Sequence, residues 1–233
     1  MSLQLALRFG LPPTTTFAQF FPGKNRQLVD QLTNPAAFHE NPFCFLWGNA
    51  GTGKTHLLQA LCHHTELQGR AAAYVPLREI SSHECEMLEV LADLDMVCID
   101  DLQVVLGKPE WEEAIFALFN QRYDRQKPLV LAADAGPRAL PFYLPDLRSR
   151  MEWGLVSVLQ ELEEIEKLQV MQARALFRGM ELPKETAQYI LHHFSRNLTD
   201  LCELVDKLDQ ASLMAQRKLT IPFIKEVLRS ESR

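Results

Sequence analysis

The sequence predicts an α/β fold: a sheet of parallel strands with flanking helices, followed by a small helical domain at the C-terminus. Five short apolar runs lie between residues 43 and 159, and stretches with a helical period of 3.6 residues separate most of them. Beyond Gln160 only the helical period continues. Alternation of this kind is typical of parallel strands joined by crossover helices, and the later pattern is typical of a helical bundle.

The strands of this five-stranded parallel sheet are predicted at residues 43–47, 71–75, 96–99, 129–133 and 155–159. A helix is predicted from Thr55 onward, because leucines recur at helical spacing before Gly69 stops the pattern. Another long helical pattern between the strands covers residues 110–126.

Four further helices are predicted at residues 161–177, 184–194, 198–215 and 222–228. Pro183 and Pro222 lie where two of them start, a place that proline favours. We therefore predict three segments: a flexible tail over residues 1–16, an α/β domain over 17–160 and a helical domain over 161–233.

The composition excludes several classes of protein. The formal net charge of −6 offers no summed positive field to a nucleic-acid backbone, so bulk coating of DNA or RNA is not expected. The five cysteines form no C-x-x-C pair, which argues against a disulfide framework or a zinc site. No run of 18 apolar residues indicates a membrane span, and the sequence predicts a cytoplasmic protein.

The motif G-x-x-x-x-G-K-[ST] occupies residues 48–55, between a predicted strand and a predicted helix, which is the context that this motif requires. The residues predicted to contact a nucleotide here are Gly48, Asn49, Ala50, Gly51, Thr52, Gly53, Lys54, Thr55 and the adjacent His56. Backbone N–H groups of such a loop surround the phosphates, Lys54 adds a cation at the β and γ positions, and Thr55 offers its hydroxyl to Mg²⁺.

Three aspartates follow predicted strands. Asp100 and Asp101 end the run at 96–99; we expect Asp100 to bind Mg²⁺ together with Thr55, and Asp101 to position a water. Asp134 follows the next run and is predicted to sense the terminal phosphate if its strand lies between the other two. A turn-starting aspartate ahead of Gly136 explains Asp134 equally well on local grounds.

These features together resemble an AAA+ module with its helical lid. Residues 146–154, Asp-Leu-Arg-Ser-Arg-Met-Glu-Trp-Gly, are similar to the D-R-L-x-S-R-x-x-W-G segment of the DnaA family, whose second arginine is the arginine finger. The resemblance implies that Arg150 reaches the γ-phosphate of a neighbouring subunit and stabilises charge in the transition state. Residues 16–23 resemble the start of the DnaA nucleotide domain, which implies that Phe21 and Pro22 line the base pocket.

Two features separate this sequence from the initiators of that family. The sequence ends at Arg233, so we expect no helix-turn-helix domain beyond the lid. Residues 76–94, where initiators hold single-stranded DNA, contain five acidic residues and one arginine, Arg78, and would repel a phosphate backbone.

The first residues resemble the Q-L-x-L-x-F peptides that bind the bacterial sliding clamp. Gln4 is predicted to fix one end of the peptide, and Leu5, Leu7 and Phe9 are predicted to contact the clamp. An undocked tail is the alternative for a match of six residues.

Two departures from the family pattern bear on nucleotide use. Asp101 stands where many AAA+ ATPases have glutamate, so fast hydrolysis by this chain is not expected. Thr199 stands where the third lid helix usually carries a sensor arginine, and Arg196, three residues earlier, is a candidate substitute. A bound nucleoside diphosphate is therefore expected, with ADP favoured and another base left open, together with Mg²⁺.

The resemblance implies a regulator that is tethered to the sliding clamp and stimulates ATP hydrolysis by DnaA through Arg150. Its expected partners are the clamp and DnaA, without sequence-specific DNA binding or a membrane, and a homo-oligomer is left open. The alternatives are an autonomous AAA+ ATPase and a helicase-loader-like replication factor.

Overall fold

The computed structural model describes residues 15–80 and 84–231. The predicted clamp-binding peptide, with Gln4, Leu5, Leu7 and Phe9, lies outside these residues. Within them, no helix combines the length and the apolar character needed to cross a bilayer.

Five parallel strands form one sheet in the order β2-β3-β4-β1-β5. They are β1 (Phe43–Trp47), β2 (Ala72–Pro76), β3 (Met96–Asp100), β4 (Leu129–Ala133) and β5 (Leu155–Val158). The predicted α/β class and the five-stranded parallel sheet are confirmed. Two strands extend one residue beyond the predicted ends, because Pro76 and Asp100 still pair across β2 and β3.

Nine helices precede, connect or follow these strands in the described residues. They are α1 (Arg26–Thr33), α2 (Pro35–Glu40), α3 (Lys54–Leu67), α4 (Pro109–Asp124), α5 (Pro145–Met151), α6 (Glu164–Phe177), α7 (Lys184–His193), α8 (Leu198–Ala215) and α9 (Ile221–Glu231). Short 3-10 turns lie between several of them, including Leu77–Glu79 and Leu102–Val104.

The sheet separates two apolar layers. Alternate residues of β1 to β4 enter opposite layers: Phe43 and Phe45 of β1 pack in one with α4 and α5, whereas Cys44 and Leu46 pack in the other with α1 and α3. Because both faces are covered, the central strands are buried throughout, and this explains their uninterrupted apolar sequences.

The described residues divide into two compact units. The first contains the sheet and ends at Gln160, and the second contains helices α6 to α9 together with residues 50–52. The second unit has its own buried core of leucine, isoleucine, valine and alanine side chains with Met171 and Phe223. Helix α6 begins at Glu164 rather than at the predicted residue 161, because Glu163 caps it: the Glu166 carboxylate accepts the Glu163 N–H at 2.7 Å.

Candidate nucleotide-binding site

The predicted phosphate loop joins β1 to the N-terminus of α3. The Gly48 N–H donates to the Ala133 carbonyl at 3.3 Å, which ties the start of the loop to β4. Gly51 and Gly53 have φ of +79° and +97°, a region that side-chain-bearing residues rarely adopt. The glycine positions therefore allow the turn that brings the backbone N–H groups of the helix terminus to one place, as an anion site requires.

Lys54 is nearly buried at the start of α3, with 9% of its surface exposed. Its Nζ donates to the carbonyl oxygens of Gly48 at 2.6 Å and Asn49 at 3.0 Å. Burial lowers the pKa of Lys54, and the neighbouring aspartates oppose that shift only in part. The amine is thus held against the loop that it is predicted to serve.

Asp100 receives three hydrogen bonds at the end of β3. The Thr55 hydroxyl donates to its Oδ2 at 2.6 Å and the Tyr74 hydroxyl at 3.1 Å, while the Asp101 N–H donates to Oδ1 at 2.9 Å. Burial raises the pKa of Asp100, and these hydrogen bonds reduce that rise. A hydroxyl and a carboxylate in contact are oxygen ligands of the kind that Mg²⁺ takes beside a nucleotide, so Thr55 and Asp100 fit the predicted ion.

Asp101 makes an ion pair that the sequence did not indicate. Arg78, in the 3-10 turn after β2, donates to both carboxylate oxygens, from Nε at 3.0 Å and Nη2 at 3.2 Å, and Gln103 Nε2 donates to Oδ1 at 2.8 Å. Burial alone would raise the pKa of Asp101, but Arg78, Gln103 and Lys54 outweigh it and the pKa lies below its usual value. The carboxylate predicted to position a water is therefore held by an arginine.

Asp134 lies at the carboxyl end of β4, and β4 lies between β3 and β1 as its predicted role requires. Its side chain is exposed, and its N–H donates to Gln103 Oε1 at 3.3 Å. Gln103 thus connects the ends of β3 and β4 through one side-chain amide.

The segment before α1 lies against the phosphate loop through Phe20, a residue that no sequence motif marks. A Cβ placed on Gly53 would lie 2.7 Å from Cε2 of Phe20. The Phe20 ring also lies 5.5 Å from the ring of His56, whose Nε2 is 2.9 Å from the Thr16 carbonyl oxygen. The predicted pair Phe21 and Pro22 follows directly and is partly buried.

Arg150 lies near the end of α5 and is partly exposed. Its guanidinium carbon lies 3.9 Å from the centre of the Trp153 ring and 5.9 Å from that of Phe119. Among the described residues no carboxylate pairs with it. The predicted finger is therefore a cation held by aromatic rings rather than by an acid.

Thr199 lies in the second unit, in the first turn of α8. Its N–H donates at 2.8 Å to Asn197 Oδ1, which caps the helix, and a Cβ on Gly51 would lie 2.3 Å from that oxygen. Arg196 is largely exposed, and its Nη1 lies 3.9 Å from Glu164 Oε1. Asn197, which the sequence pattern did not mark as a site residue, is thus the lid residue beside the loop glycine.

Two families match the chain, one for each part. Residues 11–158 match the bacterial DnaA ATPase domain, and residues 163–228 match the lid domain of Hda.

Three solved structures illustrate the similarity. Domain III of the Thermotoga maritima replication initiation protein DnaA has a TM-score of 0.78 at 23% identity, over 94% of this chain and 97% of that one. DnaA from Aquifex aeolicus bound to AMPPCP has a TM-score of 0.70 at 26% identity, over 84% of this chain but only 66% of that one. The Thermotoga maritima RuvB branch migration motor shares the fold alone, with a TM-score of 0.67 at 16% identity, over 93% of this chain and 72% of that one.

Proposed function

The chain belongs to the DnaA family of AAA+ replication proteins and has a lid of the Hda type, and from this premise we propose that it regulates the initiator rather than acting as an efficient ATPase. In this proposal it binds a nucleotide, stays near the replication machinery through the sliding clamp, and stimulates ATP hydrolysis by DnaA. Hydrolysis then leaves DnaA in its ADP form, which prevents re-initiation.

The contrast between two charged groups carries the proposal. Arg150 is partly exposed and has no carboxylate partner among the described residues. Asp101, which would position a water for the chain's own nucleotide, is paired with Arg78. The arrangement supports a protein that offers a cation to another site while its own site is restrained.

The bound nucleotide is proposed to be ADP with Mg²⁺ in a cytoplasmic protein. Lys54 and the loop N–H groups would hold the phosphates, and Thr55 and Asp100 would hold the ion, which neutralises phosphate charge when bound. The DnaA of Aquifex aeolicus, bound to the ATP analogue AMPPCP, supports a nucleotide in this fold. The exposed Thr199 supplies no cation to a γ-phosphate, and this favours a diphosphate.

In the proposed reaction the Arg150 guanidinium approaches the γ-phosphate of ATP on DnaA. Charge builds up on the phosphate oxygens as a water attacks, and a guanidinium placed there stabilises that charge. Fingers supplied by a partner raise phosphoryl-transfer rates by roughly 10³- to 10⁵-fold.

The direct test measures hydrolysis of ATP bound to DnaA in the presence of DNA-loaded clamp. Arg150→Ala is expected to abolish stimulation while the protein still binds ADP. Arg148→Ala, two residues away on the same helix and also exposed, is the matched control and should stimulate normally. Full stimulation by the Arg150 variant would refute the proposal.

Clamp tethering is tested separately on a clamp affinity column. The double substitution of Gln4→Ala and Leu7→Ala should abolish retention, whereas Arg8→Ala, at a position that the Q-L-x-L-x-F pattern leaves free, should be retained. Retention of the double variant would contradict the tether and leave the role of Arg150 untouched.

A further inference from the structure

The surface around Arg150 contains an aromatic cluster that extends from the core. Phe119 of α4 is buried and meets Phe43 of β1 edge-on, with ring centres 4.9 Å apart. Tyr123 stacks on Phe119 at 5.8 Å, and Trp153 meets both rings edge-on, at 5.7 Å from Tyr123 and 6.5 Å from Phe119. Trp153, 41% exposed, therefore packs on two rings of α4, and one of them packs in turn on β1.

The backbone at Trp153 is also fixed. Its N–H donates to the Arg150 carbonyl at 3.0 Å. The next residue, Gly154, has φ of +71°, and a Cβ there would lie 2.5 Å from the Phe43 carbonyl oxygen and 2.6 Å from Asn41 Oδ1. The connection from α5 to β5 thus passes close to β1 without room for a side chain, and the indole position is defined by this packing.

The Arg150 guanidinium lies over this supported ring, at 3.9 Å from its centre. The face of an indole attracts a cation more strongly than that of any other side chain. Unlike a carboxylate, the ring does not take up the N–H donors of the guanidinium in strong hydrogen bonds, and because it has no net charge it repels an approaching phosphate much less. A cation held in this way keeps its charge and its donors for another anion.

We propose that Trp153 is a positioning residue for Arg150: its ring restricts the guanidinium to the surface that meets the partner's triphosphate and leaves the N–H donors free for that phosphate. This inference rests on the proposed function of Arg150. Arginine side chains lose much rotamer freedom when they are immobilised, and a side chain that is already restricted loses less when it engages the phosphate. The loss of Trp153 should therefore lower the maximal stimulated rate.

The first experiment examines the contact without any partner. The chain is labelled with 5-fluorotryptophan, which gives signals from Trp47, Trp111 and Trp153, and the Trp153 signal is assigned with Trp153→Phe. Arg150→Ala should shift the Trp153 ¹⁹F signal, and Arg148→Ala should leave it in place. An unshifted Trp153 signal in the Arg150 variant would overturn the proposal whatever the function of the protein.

The second experiment measures the maximal rate of clamp-dependent ATP hydrolysis by DnaA at saturating concentrations of each variant. Trp153→Leu should lower this rate by about 3- to 30-fold, the range that a cation–ring contact supports, and Trp153→Phe should fall between it and the unchanged protein. Circular dichroism verifies folding. If the leucine variant does not fold, Trp153→Tyr replaces it, with a rate near that of the phenylalanine variant.

The outcomes separate the two proposals. Wild-type rates in every folded Trp153 variant, beside an inactive Arg150→Ala, would overturn the role of Trp153 and leave the proposed function standing. An equal loss of stimulated rate in Trp153→Leu and Trp153→Phe would also overturn the role of Trp153, because an aromatic ring at this position would then have no effect. An active Arg150→Ala would refute the proposed function itself.

Discussion

At the scale of single residues, the proposed function assigns to the Asp101 carboxylate the control of how readily this chain hydrolyses its own nucleotide. Its backbone has φ of +56°, in the left-handed region, and its carboxylate accepts two hydrogen bonds from Arg78. The arginine is 64% exposed, and exposed ion pairs contribute little, about 0–1 kcal/mol. The pair is therefore weak enough to be removed without unfolding the site.

Arg78→Ala should raise the basal hydrolysis of ATP by the isolated protein by about 2- to 5-fold. The variant removes an ion pair of about 1 kcal/mol that keeps the Asp101 carboxylate from a water. Phosphate release at saturating Mg-ATP measures the effect. Arg125→Ala removes a similar exposed pair with Asp93 elsewhere in the first unit and should leave the rate unchanged. An unchanged or lower rate in the Arg78 variant would contradict a restraining role.

The residues of the site fall into two groups by how they could be recognised. The loop residues and Asp100 follow contiguous patterns, and the structure places the Thr55 hydroxyl and the Asp100 carboxylate in contact. Tyr74, Arg78 and Phe20 reach the site from separate segments, through the strand order and the turns. No local spacing marks such residues, because their proximity arises only when the sheet is assembled.

Buried Glu112 joins two elements near the predicted finger. It lies in the first turn of α4, and its carboxylate accepts the backbone N–H groups of Gly107 at 2.7 Å, Tyr143 at 2.9 Å and Leu144 at 2.7 Å. Leu144 is the N-cap residue, directly before the first residue of α5. One side chain thus satisfies three backbone donors and fixes the approach to the helix that carries Arg150.

Glu112→Gln should lower the free energy of unfolding by about 1–3 kcal/mol, because the amide NH₂ cannot accept the hydrogen bonds that one carboxylate oxygen accepts. Urea denaturation followed by circular dichroism gives the value. Glu113→Gln, at the exposed neighbouring position, is the control and should change stability by less than about 0.5 kcal/mol. Equal stability of the two variants would show that Glu112 is not needed to support this connection.

An ion-pair network connects α6 and α8 in the second unit. Arg174 donates to both oxygens of Asp206, each at 2.7 Å, and Arg178 Nε lies 2.9 Å from Asp206 Oδ1. Burial alone would raise the pKa of Asp206, but the two arginines outweigh it and lower the pKa. A carboxyl group with a lowered pKa stabilises the folded state fully above its ordinary pKa, and this contribution is lost as the pH falls toward the lowered value.

Asp206→Asn should therefore destabilise the helical unit at neutral pH, and the difference from the unchanged protein should shrink below about pH 4. Thermal unfolding between pH 3 and pH 7, followed by circular dichroism, tests this. Glu203→Gln, an exposed position on the same helix, serves as the control with no comparable pH dependence. A difference that stays constant over this range would exclude the ion pair as its source.

At the scale of the elements, some strands and helices were predicted from the sequence with accurate boundaries, and others were not predicted. Strands β1 and β4 and helix α8 have the predicted boundaries, and the other strands lie within one residue of theirs, because buried parallel strands read as continuous apolar runs. Helices α1, α2 and α5 were not predicted. They have eight, six and seven residues, too few for a clear helical period, so tertiary packing supports them.

The whole molecule is acidic, with a net charge of −6. Its phosphate loop nevertheless places the Lys54 cation close to several backbone N–H donors. This local arrangement binds anions although the overall charge repels them. A ligand that binds only the folded chain adds to its stability, by about 2.7 kcal/mol at a concentration of 100 times the dissociation constant.

Mg-ADP at that excess should raise the melting temperature by about 5–10 °C. Lys54→Ala should remove most of the increase, because it deletes the nearly buried cation of the loop. Lys108→Ala, at an exposed lysine before α4, should keep it. Differential scanning fluorimetry measures all three, and an undiminished increase in the Lys54 variant would place the nucleotide elsewhere.

The contacts of Lys54 have a consequence for alkaline solutions. Two carbonyl oxygens already replace hydration water around its amine. A phosphate that binds there therefore displaces these carbonyl contacts rather than a full shell of hydration water. The same burial lowers the pKa of Lys54, so the amine loses its proton more easily. Nucleotide affinity should thus decline on the basic side sooner than titration of an ordinary surface lysine would dictate.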